Sequence, residues 1–255
     1  MNILLVYAQP ESSSLTHHLV REAEKFFSQK TYSISHSDLY AMDWKAVMDD
    51  SDFINRKDKS RLSFIQESGH AYCTKTLTKD IQAEHEKLIN ADAVIFIFPL
   101  WWYSMPAIMK GWIDRVWTYG LAYGYKNAGN RHRYGEGAFQ GKRALLAINI
   151  GGAEVEYSSR GINGKLEDIL FPITHGTLFY TGMTVLPTFA IYNSVNITDE
   201  QLHCATAQWI RRLDDLFSGQ PIPFRSQNGG DYPDHHLLDE TIMTGVTGLE
   251  IHIKK

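Results

Sequence analysis

Four stretches of the chain are apolar almost without interruption: residues 3–8, 93–98, 144–150 and 185–192. None alternates cleanly between apolar and polar positions, so each predicts a strand buried on both faces, the pattern of a parallel sheet sandwiched between helices. Residues 15–29, 81–90, 108–118 and 202–217 repeat their apolar positions every three or four residues and predict helices. In the last of these, Leu202, Ala205, Trp209, Leu213 and Leu216 share one stripe. Thr198 and Gln201 precede it at the spacing of a capping box, in which each side chain satisfies a free backbone N–H at the helix start. A weaker strand over 33–37 completes a strand–helix alternation. The economical arrangement is an α/β, doubly wound sheet of five parallel strands in the order 2-1-3-4-5. Pro187 cannot donate to a ladder and predicts an edge position for the last strand. Residues 40–79 and 119–141 are too long for plain connections and are expected to shape a site or touch a partner. One domain over 1–218 and a tail over 219–255, packed on that domain or on a dimer partner, is the expected organisation.

In such a sheet ligands sit beyond the carboxyl ends of the strands, near the switch in strand order. After the first strand, Gln9 to Thr16 is rich in hydroxyls and enters a helix whose first amides attract an anion. A phosphate fits there, and so does an ordinary Ser or Thr N-cap. After the third strand, Pro99-Leu100-Trp101-Trp102-Tyr103 sets three consecutive aromatics at the mouth of the sheet. Too few neighbours surround them to cover all three, so they predict a flat ligand rather than core filling. After the fourth strand, Asn149-Ile150-Gly151-Gly152 precedes Tyr157 and residues 160–164. A Gly-Gly pair lets backbone approach a ligand and aim amides at negative charge, although a plain turn uses the same pair.

Composition removes several other classes. With 255 residues, 44% of them hydrophobic, the chain can bury a large core. A net charge of −4 leaves no basic footprint for nucleic acid or an anionic membrane surface. The longest apolar run, 93–103, is too short to span a bilayer and contains Pro99, and the amino-terminal stretch turns polar after Ala8 without a basic lead. A cytoplasmic protein with no integral membrane segment is expected. Cys73 and Cys204 are far apart and outside any CxxC pattern, so each is expected to be a buried, inert thiol. His17-His18 and His235-His236 are adjacent pairs that diverge by about 100° on a helix. They are expected to bind no metal.

Beyond these patterns, ILLVYAQPE at 3–11, SDLYAMDW at 37–44, FPLWWYSMPAIMKGWIDRV at 98–116, GLAYGY at 120–125 and the stretch from Gly151-Gly152 through YSSRGINGKL to Met183 carry a resemblance over nearly the whole chain. The sequence resembles the NAD(P)H:quinone oxidoreductases, the DT-diaphorase-like flavoproteins and their bacterial relatives, and the 98–116 stretch is highly specific. The resemblance implies the flavodoxin-like fold and a bound flavin, FAD in preference to FMN. It places the flavin ring against Pro99, Leu100, Trp102 and Tyr103, with Trp101 in the same stretch, and its redox edge at Asn149, Ile150, Gly151, Gly152 and the Tyr157 hydroxyl. It matches Gln9, Ser14, Leu15 and Thr16 to phosphate-binding positions and Asp114 and Arg212 to positions near the adenylate half. Tyr123 and Tyr125 match the pair that lines the nicotinamide and quinone pocket, which Trp102 and Tyr103 also border. Tyr157 and Asn163 match the family's charge-stabilising catalytic pair. Two positions depart from the family, which carries His where this chain has Gln9 and Asn163. Gln9 still donates to a phosphate, whereas Asn163 cannot carry a proton.

The implied activity is two-electron transfer from NAD(P)H through flavin to a small-molecule quinone, with ping-pong kinetics because both substrates share one site. The implied assembly is a homodimer with each site between two subunits. Some relatives act instead as ancillary subunits of potassium-efflux systems, and others reduce azo or nitro compounds. Electron-carrier flavodoxins lack the aromatic-rich 119–141 insertion.

Overall fold

The computed structural model describes residues 1–254. Its apolar stretches form a parallel sheet in which β1 (Asn2–Tyr7), β2 (Ser33–Asp38), β3 (Ala93–Pro99) and β4 (Arg143–Asn149) lie in the order β2-β1-β3-β4. Alternate residues feed opposite cores: Leu4 and Val6 enter one, while Ile3, Leu5 and Tyr7 enter the other. Both faces being buried explains why the strands read as unbroken apolar runs rather than alternating ones.

The last strand is broken where a single one over 185–192 was expected. Two short strands, β5 (Thr184–Val185) and β6 (Phe189–Ile191), each pair in parallel with β4 and share the edge. Pairing resumes with one extra residue on this edge, since Ala144 faces Val185 but Ala147 faces Phe189. Pro187 sits in that gap; lacking an N–H, it bulges out of the ladder while Leu186 still donates to the Ala144 carbonyl at 2.9 Å.

Helices α1 (Leu15–Ser28) and α6 (Asp199–Asp214) cover one face. The Thr198–Gln201 capping box forms as expected, and α6 therefore starts before its apolar stripe. Fully buried Trp209 joins the two helices, its indole donating to the Leu19 carbonyl at 2.9 Å. The other face carries α3 (Lys79–Asn90), α4 (Ala107–Val116) and α5 (Leu166–Ile173), with α2 (Phe64–Thr74) inside the first insertion. That insertion is fastened to α4 by buried Arg115, which holds Asp52 at 2.9 Å and Asp80 at 2.7 Å and lies 4.4 Å over the Trp44 ring. Gly111 allows this approach, because a Cβ there would lie 1.9 Å from the Ala46 carbonyl oxygen.

Helices run antiparallel to the strands, so α1, α4 and α6 begin at the carboxyl edge of the sheet and end at its amino edge. Arg143, the first residue of β4, marks this by donating to the carbonyls of Leu216 and Gly219 just past α6. The 119–141 insertion leaves α4 and enters β4 at the same amino edge, where Tyr134, Gly135 and Phe139 donate to the carbonyls of Tyr180, Phe179 and Thr181. Residues 222–254 fold back beside it: Ile222 donates to Val185, Gln227 to Tyr134 and Lys254 to Pro223. Both cysteines are exposed rather than buried, because Cys73 and Cys204 fall on the outward faces of α2 and α6. Among the described residues no helix is long and apolar enough to cross a membrane.

Candidate active site

The three loops meet at the carboxyl edge through one residue. Asn149, the end of β4, accepts the Thr16 hydroxyl at its Oδ1 (3.0 Å) and the Leu100 N–H at its carbonyl (2.9 Å). The start of α1, the loop after β3 and the loop after β4 are thereby held in register. Thr16 is wholly buried, so its hydroxyl is spent on this bond instead of facing a ligand.

Ser14 is the N-cap of α1, accepting the His17 N–H at 3.3 Å. Its hydroxyl also lies 3.1 Å from His17 Nδ1, while His17 Nε2 lies 3.5 Å from Asp38 at the end of β2. Glu11 folds the loop by accepting from the Ser13 N–H and hydroxyl, bonds that hold its carboxyl below the usual range. Gln9 is half-buried beside it and Leu15 packs on the α1–α6 core. His17 was not among the expected site residues; its place in the first helical turn, three residues after a capping Ser, is the signal that points to it.

After β3 the chain makes a tight hairpin in which Trp101 and Ser104 exchange two 3.0 Å backbone bonds. Its central residues, Trp102 and Tyr103, have φ of 50° and 61°, the left-handed conformation of a type I′ turn. Bulky residues rarely adopt it, and it costs about 1–3 kcal/mol at each position. What the strain achieves is presentation: Trp102 is 95% exposed and Tyr103 51%. The Tyr103 hydroxyl donates to Asn163 Oδ1 at 3.0 Å, so Asn163 partners Tyr103 and not, as expected, Tyr157. Pro99 is buried at the end of β3 and Leu100 half-buried after it.

The loop after β4 divides its backbone groups. Ile150 is buried and both its backbone groups are in use, its N–H on Ile191 and its carbonyl on Ser194, so it has no amide to give a ligand. Gly151 and Gly152 donate to no acceptor among the described residues. A Cβ at Gly152 would lie 2.5 Å from the Glu156 carboxylate and 3.2 Å from the Tyr157 ring, so glycine lets the backbone approach both without displacing either side chain. Burial, then Tyr103 and Glu156 nearby, raises the Tyr157 pKa, which keeps its phenol a donor at neutral pH.

The other expected site residues lie apart from these loops. Asp114 is exposed late in α4 and paired with Lys110 at 2.5 Å, and Arg212 stands near the end of α6, toward the amino edge. Tyr123 packs edge-on against Tyr119, and Tyr125 against His132, within the 119–141 insertion. At the carboxyl edge, then, exposed aromatic faces, two free amides, one unionised phenol and a helix start are carried by loops that Asn149 holds in register. That donor set suits a planar heteroaromatic ring that accepts negative charge and carries a phosphate tail.

Residues 1–213 match the family described as having the flavodoxin-like fold. A ribosyldihydronicotinamide dehydrogenase-like protein of Penicillium crustosum is 43% identical over 91% of this chain and 87% of its own. An NAD(P)H dehydrogenase [quinone] of Cavia porcellus is 35% identical over 87% of this chain and 79% of its own. A solved structure from Klebsiella pneumoniae, described as a candidate quinone reductase, is 46% identical over the full length of both chains with a TM-score of 0.95.

Proposed function

The chain belongs to the flavodoxin-like family that includes the NAD(P)H dehydrogenases [quinone], and from that membership we propose that it is a flavin-dependent enzyme passing electron pairs from NAD(P)H to a quinone. The observation that carries the proposal is the carboxyl edge itself, where the free Gly151 and Gly152 amides lie by the Tyr157 phenol, Tyr157 neighbours Tyr103, and the turn after β3 exposes Trp102. When bound, the flavin supplies the two-electron chemistry between nicotinamide and quinone. The chain's residues bind, orient and stabilise. Trp102 and Tyr103 offer flat faces for stacking, Ser14 and the first amides of α1 hold phosphate, and Gln9 adds a side-chain amide donor. The Gly151 and Gly152 amides, with the Tyr157 hydroxyl, are aimed at developing negative charge without reorganising.

The proposed assembly is a homodimer. Its support is that Tyr123 and Tyr125, matched to the nicotinamide and quinone pocket, belong to an insertion whose two ends lie at the amino edge. A slot at the carboxyl edge meets them by borrowing them from a second copy. The choice of FAD over FMN rests on the resemblance alone, through the match of Asp114 and Arg212 to positions near the adenylate half. A cytoplasmic location fits two free, exposed thiols.

An absorbance spectrum of the purified protein, chromatography of its released flavin and anaerobic reduction by NADH and by NADPH test the proposal together. Bound FAD bleached by a nicotinamide is expected. A preparation that neither holds nor takes up flavin would overturn the function, and FMN alone would overturn only the choice of cofactor.

A further inference from the structure

Whereas a neighbouring cavity of about 360 Å3 beside α5 is lined by Glu154 and Glu167, at the amino edge the tail and the 119–141 insertion line a cavity of about 340 Å3 whose lining holds no Asp or Glu. This volume falls within the range of small-molecule pockets, about 300–1,000 Å3. One wall is a stack of rings, with Phe171 on His175 at 4.5 Å and 19° and His175 on Tyr134 at 4.7 Å and 26°. Burial, then neighbouring His252, pushes the His175 imidazole down to about 4, so near neutral pH it is an uncharged flat surface.

Two polar groups on the lining have no partner. Arg133 lies over the rings of Tyr134 and Tyr180, yet its buried Nε donates to nothing among the described residues. The acids nearest in sequence are taken elsewhere, Glu136 by His132 at 3.3 Å and Asp231 by Arg225 at 2.9 Å. Gln227 is only 5% exposed; its Nε2 donates to the His235 carbonyl, which leaves its buried Oε1 as an acceptor without a donor. A buried guanidinium N–H and a buried carbonyl oxygen are each costly to leave without a partner unless something completes them.

We propose that this cavity binds a planar aromatic anion, specifically an aryl carboxylate bearing a hydroxyl group. The ring lies along the Tyr134–His175–Phe171 wall, the carboxylate meets Arg133, and the hydroxyl donates to Gln227 Oε1. Arginine suits a carboxylate because its planar fork matches the two oxygens, and the flat wall selects an aromatic over an aliphatic acid. Such binding needs neither flavin nor nicotinamide.

Isothermal titration of the full-length, flavin-loaded protein with 6-hydroxy-2-naphthoate tests it. Saturable binding of one probe per chain is expected. Arg133→Met, at a partly exposed position that tolerates change, should weaken it by roughly tenfold or more, the size of one charge-assisted bond. Replacing the probe by 2-naphthol, which lacks the carboxylate, should do the same. Gln227→Leu should remove the preference for 6-hydroxy-2-naphthoate over 2-naphthoate, and if that variant does not fold, Arg133→Met decides alone. Trp102→Ala should leave the affinity unchanged. No saturable binding, equal affinity in Arg133→Met, or loss of binding in Trp102→Ala, which would put the probe in the redox slot, overturns the proposal.

Discussion

At the mouth of the slot two phenols have different standing. The Tyr103 hydroxyl is committed to Asn163, whereas the Tyr157 hydroxyl donates to no described residue and remains available. Tyr157→Phe should keep flavin bound and stability unchanged while slowing reduction by NAD(P)H. The lost charge-assisted bond is worth about 1.5–3 kcal/mol, or roughly tenfold and upward in rate. Stopped-flow absorbance reads that step, and an unaltered rate would leave the Gly151 and Gly152 amides as the stabilising group. Asn163→Ala acts through Tyr103 instead. With the latch gone, the turn should present its ring less often, and steady-state kinetics should show KM for the quinone rising about two- to tenfold with kcat little changed, as expected for a partly exposed bond of about 0.5–1.5 kcal/mol. The aromatic run 101–103 was legible in the sequence because three adjacent rings cannot all be buried. The Tyr103–Asn163 bond was not, since its partners are 60 residues apart and meet only through two left-handed φ angles.

Elements obeyed their periodicity wherever burial was uniform. Strands β1, β3 and β4 and helices α1, α3, α4 and α6 lie where the apolar spacing put them, and the capping box fixed the start of α6. Two of the unread irregularities trace to proline. Pro187 splits the edge strand, and Pro172 inside α5 disturbs the pattern just before the helix widens into a π-turn over Thr174–Leu178. Neither irregularity has a period to detect. The contact of α4 with the first insertion offers an element-scale test in which two effects oppose. Gly111→Ala should gain about 1 kcal/mol from helix propensity. Its new Cβ, however, would lie 1.9 Å from the Ala46 carbonyl, a backbone atom that cannot swing aside. The clash should win: thermal unfolding is expected several degrees lower, with faster proteolysis of residues 45–62, and a stabilised variant would show that the insertion yields freely.

For the whole molecule, buried histidines set the response to acid. His175 binds its proton at about 4 when folded against a reference of 6.5, and burial lowers His85 in the same direction. The unfolded chain therefore holds more protons between those values, so stability is complete above about pH 6.5 and declines as the pH falls toward about 4. Melting temperature should drop between about pH 7.5 and about pH 5, and His175→Phe, which preserves the stack, should reduce that drop. Placing the slot at one edge of the sheet and Tyr123 and Tyr125 at the other has a consequence for how copies assemble. A chain with complementary halves at opposite ends can join head to tail without limit, and only a two-fold arrangement, in which each copy both gives and receives, closes the assembly after two. In the proposed dimer, closure makes turnover a property of concentration: specific activity should fall on dilution as pairs separate. Mixing inactive Trp102→Ala chains with inactive Tyr125→Ala chains should then restore about a quarter of wild-type activity, because random re-pairing makes half the pairs mixed and each mixed pair holds one intact site.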